Sequence, residues 1–473
     1  MKPQDLAAVE LNDAGLRCAQ AGADGMPALV GEESPGFALL HEGRVLVGTD
    51  AVRRHRVAPL HAQNRYWAGL GTEPLPWSTR GIATPADLAH AHLRMVLEPA
   101  VAAGARELLL AVPPGFAREQ LGLLVGIANE CGVTTRGLVD LGLAACATVT
   151  PAPHLLHLDL QLHQAVATLV ELSRNDGVLR RARYELLPGA GLLAFRQAAA
   201  EAIATAFVRE TRFDPLHEAA TEQRLHDRLP DWLERLVTDE ETAAEIEFGT
   251  TTHRIVLQRA QVTGAHETLG GEVLRLVQAA RPAGLLLHVC ITPRIASVPG
   301  LVARLASLRD CVVVRLEPGA AALGALRHAA HVTRPPDAIA LVHRLPLQVA
   351  TATDAATEGS ATVVPAEAVP THVLYRGRAW PLTAVPLTLG WSVGAAVRAL
   401  ALPAGIAGVS RVHCALRTQD GQAVVEDQST YGTFVNDERV GGRAALRVGD
   451  LLRLGAPGVT LELIRVLPDH AAA

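Results

Sequence analysis

Between Leu6 and about Ala330 two kinds of hydrophobic run alternate along the chain. Short, nearly continuous apolar runs bounded by turn residues, such as RELLLAVP (Arg106 to Pro113) and PAGLLLHVCI (282–291), predict buried strands. HLLHLDLQLHQAVATLVEL (154–172) predicts two more. Longer runs carry apolar residues at helical spacing. In GFAREQLGLLVGIANECGV (115–133) these are Phe116, Leu121, Leu124, Val125 and Ile127, with Gly132 as the stop. AGLLAFRQAAAEAIATAFVRE (190–210) and PGLVARLASL (299–308) read as further helices. Strands that alternate with helices imply an α/β domain with covered sheets.

The pattern then lapses. TATDAATEGSATVVPAEAVPT has no period and is rich in Ala, Thr, Pro and Glu, so residues 334–370 are expected to be a linker. Beyond it, RAWPLTAVPLTLGW, HCALRTQ, QAVVEDQ, ALRVGDLLRLG and VTLELIRV are short strands separated by glycine turns. They predict an all-β sandwich over 371–468. The expected organisation is therefore an α/β domain at 1–333, a linker at 334–370 and a β-sandwich at 371–468.

Composition narrows the chemistry. The 473 residues suffice for two to four domains, and 49% hydrophobic with 19% charged residues describes ordinary buried cores. A net charge of -5 offers no basic field for nucleic acid. The first thirty residues lack a basic start followed by an apolar run, and no apolar stretch approaches the roughly twenty residues of a membrane span. A cytoplasmic location is the expectation. The six cysteines form no C-x-x-C pair and are expected to be buried free thiols. His154, His157 and His163 do not share one face of a strand, so no metal site is expected there. Of the 43 basic residues only Lys2 is a lysine, which excludes a Walker, kinase or Schiff-base lysine from any folded site. No G-x-S-x-G or H-E-x-x-H occurs.

Near the C-terminus, S-R-x-H (Ser410, Arg411, His413) is followed by S-x-x-G-T-F-V-N (from Ser429) and by G-D-x-x-x-L-G (from Gly449). In this order and spacing the motifs resemble a forkhead-associated (FHA) domain over about 371–468. The resemblance implies recognition of phosphothreonine in a partner protein. A phosphate dianion has three acceptor oxygens, and charged donors bind them best. Ser410 would supply a hydroxyl and Arg411 a guanidinium, and Thr430 stands where the family holds the phosphate. Gly390, His413, Gly432, Thr433 and Asn436 fall on positions that shape the loops. Two positions depart from the pattern. Trp391 stands where an arginine normally follows Gly390, and Tyr431 where an asparagine bonds the target backbone. Loss of one charged contact corresponds to about 1.5 to 3 kcal/mol, and Arg411 or Arg398 is expected to compensate.

Residues 6–330 are similar, piece by piece, to the actin/DnaK-like ATPases. Gly43 to Pro59, Ala111 to Thr148 and Leu316 to Ala330 follow that family's order. The resemblance implies a two-lobed α/β fold with ATP between the lobes, held by glycine-rich hairpins that let backbone approach phosphate. Here the glycines are replaced. VELNDAGL has Glu10 for the usual Asp and Asn12 for Gly, and DLQLHQAV keeps Asp159 but has Gln161, Leu162 and His163. His288 and Val289 occupy the adenosine glycine pair, and Leu141-Gly142 replaces Glu-Pro. Two readings stay open. In one, Glu10, Asp13 and Asp159 form a metal-water cage for a weak ATPase using Mg and ATP. In the other, the domain is a pseudo-ATPase scaffold with a closed cleft and no cofactor.

Taken together, the sequence implies a phosphothreonine-dependent adaptor or scaffold of bacterial type, with a threonine-phosphorylated protein as one partner and a second protein partner for the large domain. The alternatives are a nucleotide-gated or chaperone-like ATPase switched by its FHA domain, and an actin-like assembly protein.

Overall fold

Two six-stranded mixed sheets that share a plan of five strands carry the N-terminal part of the molecule. The computed structural model describes residues 3–22, 25–173, 177–281, 285–333, 340–346, 369–375, 378–393, 398–403, 406, 408–419, 422–435, 438–455 and 458–465. The chain divides into two units, Met1–Thr351 and Ala352–Ala473.

In the first sheet, Leu6–Glu10, Leu16–Ala21 and Pro27–Ser34 form an antiparallel meander, and Glu107–Val112 and Thr134–Asp140 add parallel on the other side of Leu6–Glu10. The second sheet repeats this. His154–Leu160, Gln164–Ser173 and Val178–Pro188 form the meander, and Leu287–Ile291 and Cys311–Arg315 add parallel to His154–Leu160. Parallel neighbours require crossovers, which the helices Arg118–Glu130 and Pro293–Ala296 with Leu301–Ala306 provide.

Parallel strands covered on both faces should be apolar throughout. Glu107–Val112 (ELLLAV) obeys this after its first residue, while His154–Leu160 (HLLHLDL), equally buried after its first, departs from it at His157 and Asp159. Their side chains divide between cores. Leu108 and Leu110 pack with Leu93, Leu97 and Leu124 of the outer helices Pro85–Ala102 and Arg118–Glu130. Leu109 and Ala111 instead join Leu155 and Cys290 of the second sheet in an inner layer with helices Leu141–Cys146 and Ala320–Arg327. Leu156, Leu158 and Leu160 face a third core with Val273 and Leu276 of helix Glu267–Ala280.

Part of the expected linker proves to be structural. Leu341–Val342 pairs with Thr134–Asp140 in the first sheet, and Arg344–Pro346 pairs with Val178–Pro188 in the second. The apolar L-V and L-P steps supply the burial, with Leu345 fully enclosed. The chain thus adds an edge strand to both sheets before leaving the unit. Residues 347–368 lie outside the described residues.

A satellite core, of which the sequence pattern suggested only the first helix, is built on Leu192–Thr211, Ala219–Thr238 and the hairpin Glu241–Phe248 with Thr251–Gln258. Pro230 interrupts the hydrogen-bond ladder inside Ala219–Thr238. Among the described residues no helix is long and apolar enough to cross a membrane. All six cysteines are free, but Cys131 and Cys311 are only half-buried, so the expectation of six buried thiols fails at those two. Cys131 caps the C-terminal end of Arg118–Glu130, and Cys311 opens the edge strand Cys311–Arg315.

The second unit is a β-sandwich. One sheet has six strands, in the order Arg378–Pro381, His372–Tyr375, Val459–Ile464, Leu451–Leu454, Thr433–Val435, Glu438–Arg439. The other has five, in the order Ala399–Ala401, Leu387–Gly390, Cys414–Gln419, Gln422–Asp427, Arg443–Leu446. Alternate residues such as Leu387 and Leu389, Cys414 and Leu416, Leu452 and Leu454, and Leu461 and Leu463 fill the space between them.

Candidate functional site

In the sandwich, two loops meet at one end through a buried histidine. The strand Leu387–Gly390 runs beside the segment that carries S-R-V-H, and His413 N–H donates to the Leu389 carbonyl at 2.7 Å. No side chain fits at Gly390, where a Cβ would lie 2.0 Å from the Arg411 carbonyl oxygen. The His413 ring is fully buried. Its Nδ1 accepts the Ser410 N–H at 3.0 Å, which leaves Nε2 to donate to the Gly432 carbonyl at 3.1 Å. Burial holds the ring below the usual histidine range, so it stays neutral in this tautomer.

The second loop is tied by Asp427. Its Oδ1 accepts the Ser429 hydroxyl at 2.7 Å, the Ser429 N–H at 3.1 Å and the Thr433 hydroxyl at 2.7 Å. Partial burial opposes the charge, but the hydrogen bonds from Thr433 and Ser429 outweigh it and keep the carboxyl below its ordinary range. Ser429 Oγ in turn accepts the Gly432 N–H at 2.7 Å. Across the gap, Thr430 N–H donates to Ser410 Oγ at 3.1 Å. As an acceptor there, the Ser410 hydroxyl keeps its own proton for an outside group. Thr430 and Tyr431 are exposed beside it, and Thr433 is buried. Asn436 lies outside the described residues.

The cations are distributed differently from the expectation. Arg398 does not reach these loops: its guanidinium bonds the Thr383 hydroxyl and the carbonyls of Val385 and Pro381. Arg411 stays at the site and stacks over Trp391, 5.5 Å from the ring centroid. A second guanidinium comes from Arg439, which lies against Gly432; a Cβ there would sit 2.8 Å from Arg439 Nε. Gly432 has φ +85, so glycine serves both the turn and this approach. Sequence reasoning missed Arg439, which follows the recognisable motif by three residues. It also missed Asp427, although Asp-Gln-Ser ahead of a glycine turn is an Asx-turn signal.

In the first unit, the ends of strands from both sheets meet around Arg294, another residue the sequence reading did not single out. Arg294 Nε and Nη2 contact the two Asp159 oxygens at 3.0 and 2.9 Å, Nη2 contacts Glu10 Oε1 at 2.8 Å, and Nη1 contacts Glu33 Oε1 at 2.7 Å. Glu10 Oε2 also accepts the Ala321 N–H at 3.1 Å, at the start of Ala320–Arg327. Asn12 joins the hairpins, donating to Asp159 Oδ2 at 2.7 Å and to the Leu160 carbonyl at 3.2 Å. Burial opposes the charges of Arg294 and Asp159, yet each offsets it for the other. The guanidinium is held above its usual range and the Asp159 carboxyl below its own.

Asp13 sits apart from this guanidinium, accepting the Leu162 N–H at 2.8 Å. Burial pushes its carboxyl up to about 6. The Leu162 side chain turns into the hydrophobic core. Gln161 Oε1 accepts from Gln164 Nε2 at 2.5 Å, and His163 Nε2 lies 3.1 Å from the Asn64 carbonyl. His288 and Val289 are inside the strand Leu287–Ile291, and the segment that reaches the cluster is Thr292 to Arg294. The structure therefore brings Glu10 and Asp159 together, turns Asp13 to the Leu162 N–H instead and leaves His288 outside. A cavity of about 130 Å³ borders the cluster, lined by Glu10, Arg17, His157, Thr292, Arg294 and Gly319 among others. Among the described residues, no group of three or more His, Cys, Asp or Glu side chains is placed to hold a metal ion.

Compared with known families, residues 391–455 match the FHA domain. A comparison of the chain with curated proteins finds no match. The matched residues contain both loops described above, while the strands His372–Tyr375, Arg378–Pro381, Leu387–Gly390 and Val459–Ile464 complete the sandwich outside them. The sandwich thus contains an FHA domain at residues 391–455, which implies binding of phosphothreonine peptides.

Proposed function

We propose that this chain is a phosphothreonine-dependent adaptor, in which the FHA domain reads a threonine-phosphorylated partner and a degenerate actin/DnaK-like domain serves as a scaffold without ATPase activity. The observation that carries the reading is the meeting of the Ser410 hydroxyl, the Arg411 guanidinium and the Thr430 loop at one exposed place, with His413 fixing the loops beneath. Hydroxyl, guanidinium and loop amides are the donors a phosphate dianion needs.

Two features support the pseudo-ATPase half. The repeated strand plan of the two sheets suits a two-lobed ancestor. Between the strand ends, where the resemblance would put phosphate and metal, a guanidinium already neutralises Glu10 and Asp159. The neighbouring 130 Å³ cavity is well below the roughly 300 to 1,000 Å³ of ordinary ligand pockets.

The test uses the full chain. Phosphothreonine peptides are expected to bind and their unphosphorylated copies not. Ser410→Ala with Arg411→Ala should lower affinity by about one to two decades. Equal binding of both peptide sets would overturn the reader. Mg-ATP is expected to leave the melting temperature unchanged, whereas a clear rise would overturn the pseudo-ATPase reading, because a ligand that binds only the native state must stabilise it.

A further inference from the structure

The phosphate donors of the FHA domain are bordered by apolar side chains that the fold leaves in solvent. Trp391 is 38% exposed, Val412 38% and Tyr431 57%. They belong to one place. Trp391 N–H donates to the Ser410 carbonyl at 3.4 Å, and Ser392 N–H to the Arg411 carbonyl at 3.0 Å, so the Trp391 strand end runs beside the first loop. A Cβ on Gly390 would lie 3.0 Å from Val412 Cα. Tyr431 follows Thr430, whose N–H reaches Ser410. The Arg411 guanidinium lies over the Trp391 ring, so the cation stands at the boundary between the polar and apolar parts.

Exposed aromatic and branched side chains concentrated at a binding edge are unfavourable until something apolar covers them. Charge complementarity fixes what is covered. Arg411 at the first loop and Arg439 against Gly432 of the second favour an anionic ligand, and the apolar side chains beside the loops call for apolar neighbours on the same ligand. From this arrangement we infer that the ligand is a phosphothreonine flanked directly by aliphatic or aromatic residues, and that Trp391 and Tyr431 set this preference. The inference rests on the phosphothreonine reading above and specifies its partner. An arginine after Gly390 and an asparagine before Gly432 would address phosphate and peptide backbone, whereas Trp391 and Tyr431 address side chains. The two departures thus exchange phosphate affinity for sequence selectivity.

The experiment titrates the full chain with three synthetic peptides. The first carries Leu-Val before and Val-Leu after a phosphothreonine, the second has alanine at those four positions, and the third is an unphosphorylated copy of the first. The apolar phosphopeptide is expected to bind about tenfold tighter than the alanine one, the scale of burying one aliphatic side chain. Trp391→Ala should bring that ratio close to one, and Tyr431→Ala, measured independently in case the first variant misfolds, should reduce it as well. Circular dichroism identifies a misfolded variant. Equal affinity for the two phosphopeptides would overturn the inference while leaving the phosphothreonine reading standing. Equal affinity for the first and third peptides, or no binding of any, would overturn the reading and the inference with it.

Discussion

Arg294 Nη2 lies 2.8 Å from Glu10 Oε1, joining a residue just beyond a strand of the second sheet to the last residue of a strand in the first. The same guanidinium holds Asp159 and Glu33, and the side chains of Arg294, Glu10 and Asp159 are each no more than 10% exposed. A charge cluster this enclosed is held by mutual compensation, since each ion alone would carry a large desolvation cost.

Arg294→Ala is therefore expected to destabilise the first unit by about 3 to 5 kcal/mol, because it leaves two buried carboxylates without a cation. Adding Glu10→Gln should recover part of the loss, so the two changes will be less than additive. Denaturant unfolding of the full chain measures both. A midpoint for Arg294→Ala indistinguishable from that of the parent would mean that the cluster contributes nothing to stability.

Acid should weaken the protein through its buried histidines. His92 is enclosed by Ser34, Tyr66 and Trp67, with Nε2 2.7 Å from Ser34 Oγ and Nδ1 3.0 Å from Trp67 Nε1. The indole can only donate, so Nδ1 accepts and the ring is neutral. Burial pushes His92 down to about 3, and burial with nearby Arg56 does the same to His226. Both folded values are depressed, so below pH 6.5 the unfolded chain takes up these protons first. The stabilisation is complete above about pH 6.5 and declines toward pH 3, by about 1.4 kcal/mol per pH unit for each ring. Asp13, raised to about 6, works in the opposite direction below that pH and offsets one ring. The net expectation is a melting temperature that falls between pH 7 and 5. His92→Gln, whose amide can accept from Trp67 and donate to Ser34 without titrating, should show a shallower fall.

The Asp427 knot predicts a loop-specific effect. Asp427→Ala removes the acceptor for Ser429 N–H, Ser429 Oγ and Thr433 Oγ1 together. The freed Ser429 hydroxyl can turn to water, but Thr433 is buried and its hydroxyl is left unpaired, so the expected loss of stability is about 1 to 3 kcal/mol. Peptide affinity should fall further than stability alone requires, because the Thr430 segment loses its anchor. Asp427→Asn, which keeps an acceptor oxygen, should lie between the two. An unchanged peptide affinity in Asp427→Ala would show that the loop holds its shape by backbone alone.

How much of this was legible in the sequence depends on the range of the contacts. The strands at Glu107–Val112 and His154–Leu160 and the helix Arg118–Glu130 follow from local periodicity, and the S-R-V-H and S-T-Y-G-T motifs locate both loops. Residues 341–346 read as linker because runs of two or three residues carry no period; they become strands only by pairing with Thr134–Asp140 and Val178–Pro188. Arg294 was invisible for a related reason. Its partners Glu10 and Asp159 are 284 and 135 residues away, and nothing within TPRIA distinguishes a buried guanidinium from a surface one. Arg398 shows the converse error: it is close in sequence to the reader loops, yet the carbonyls of Val385 and Pro381 hold it elsewhere.

The contact at Gly390 gives the most local test of how the reader is assembled. Its Cα faces the Arg411 carbonyl so closely that a methyl group would come within 2.0 Å of the oxygen, 2.8 Å of the carbonyl carbon and 3.0 Å of Val412 Cα. All three are backbone atoms, so no side-chain rotation relieves the clash, and the strand and loop must separate. The bonds at risk are His413 N–H to the Leu389 carbonyl at 2.7 Å and Ser392 N–H to the Arg411 carbonyl at 3.0 Å. Gly390→Ala should then displace Ser410 and Arg411 together, lowering phosphopeptide affinity by at least tenfold, which is 1.4 kcal/mol. The strain should also lower the stability of the sandwich, by about 1 to 3 kcal/mol. Val385→Ala, at an exposed position in the same sheet region, serves as the comparison and should leave affinity unchanged. Parent-like binding by Gly390→Ala would show that the first loop can move away from the strand without losing its grip on the phosphate.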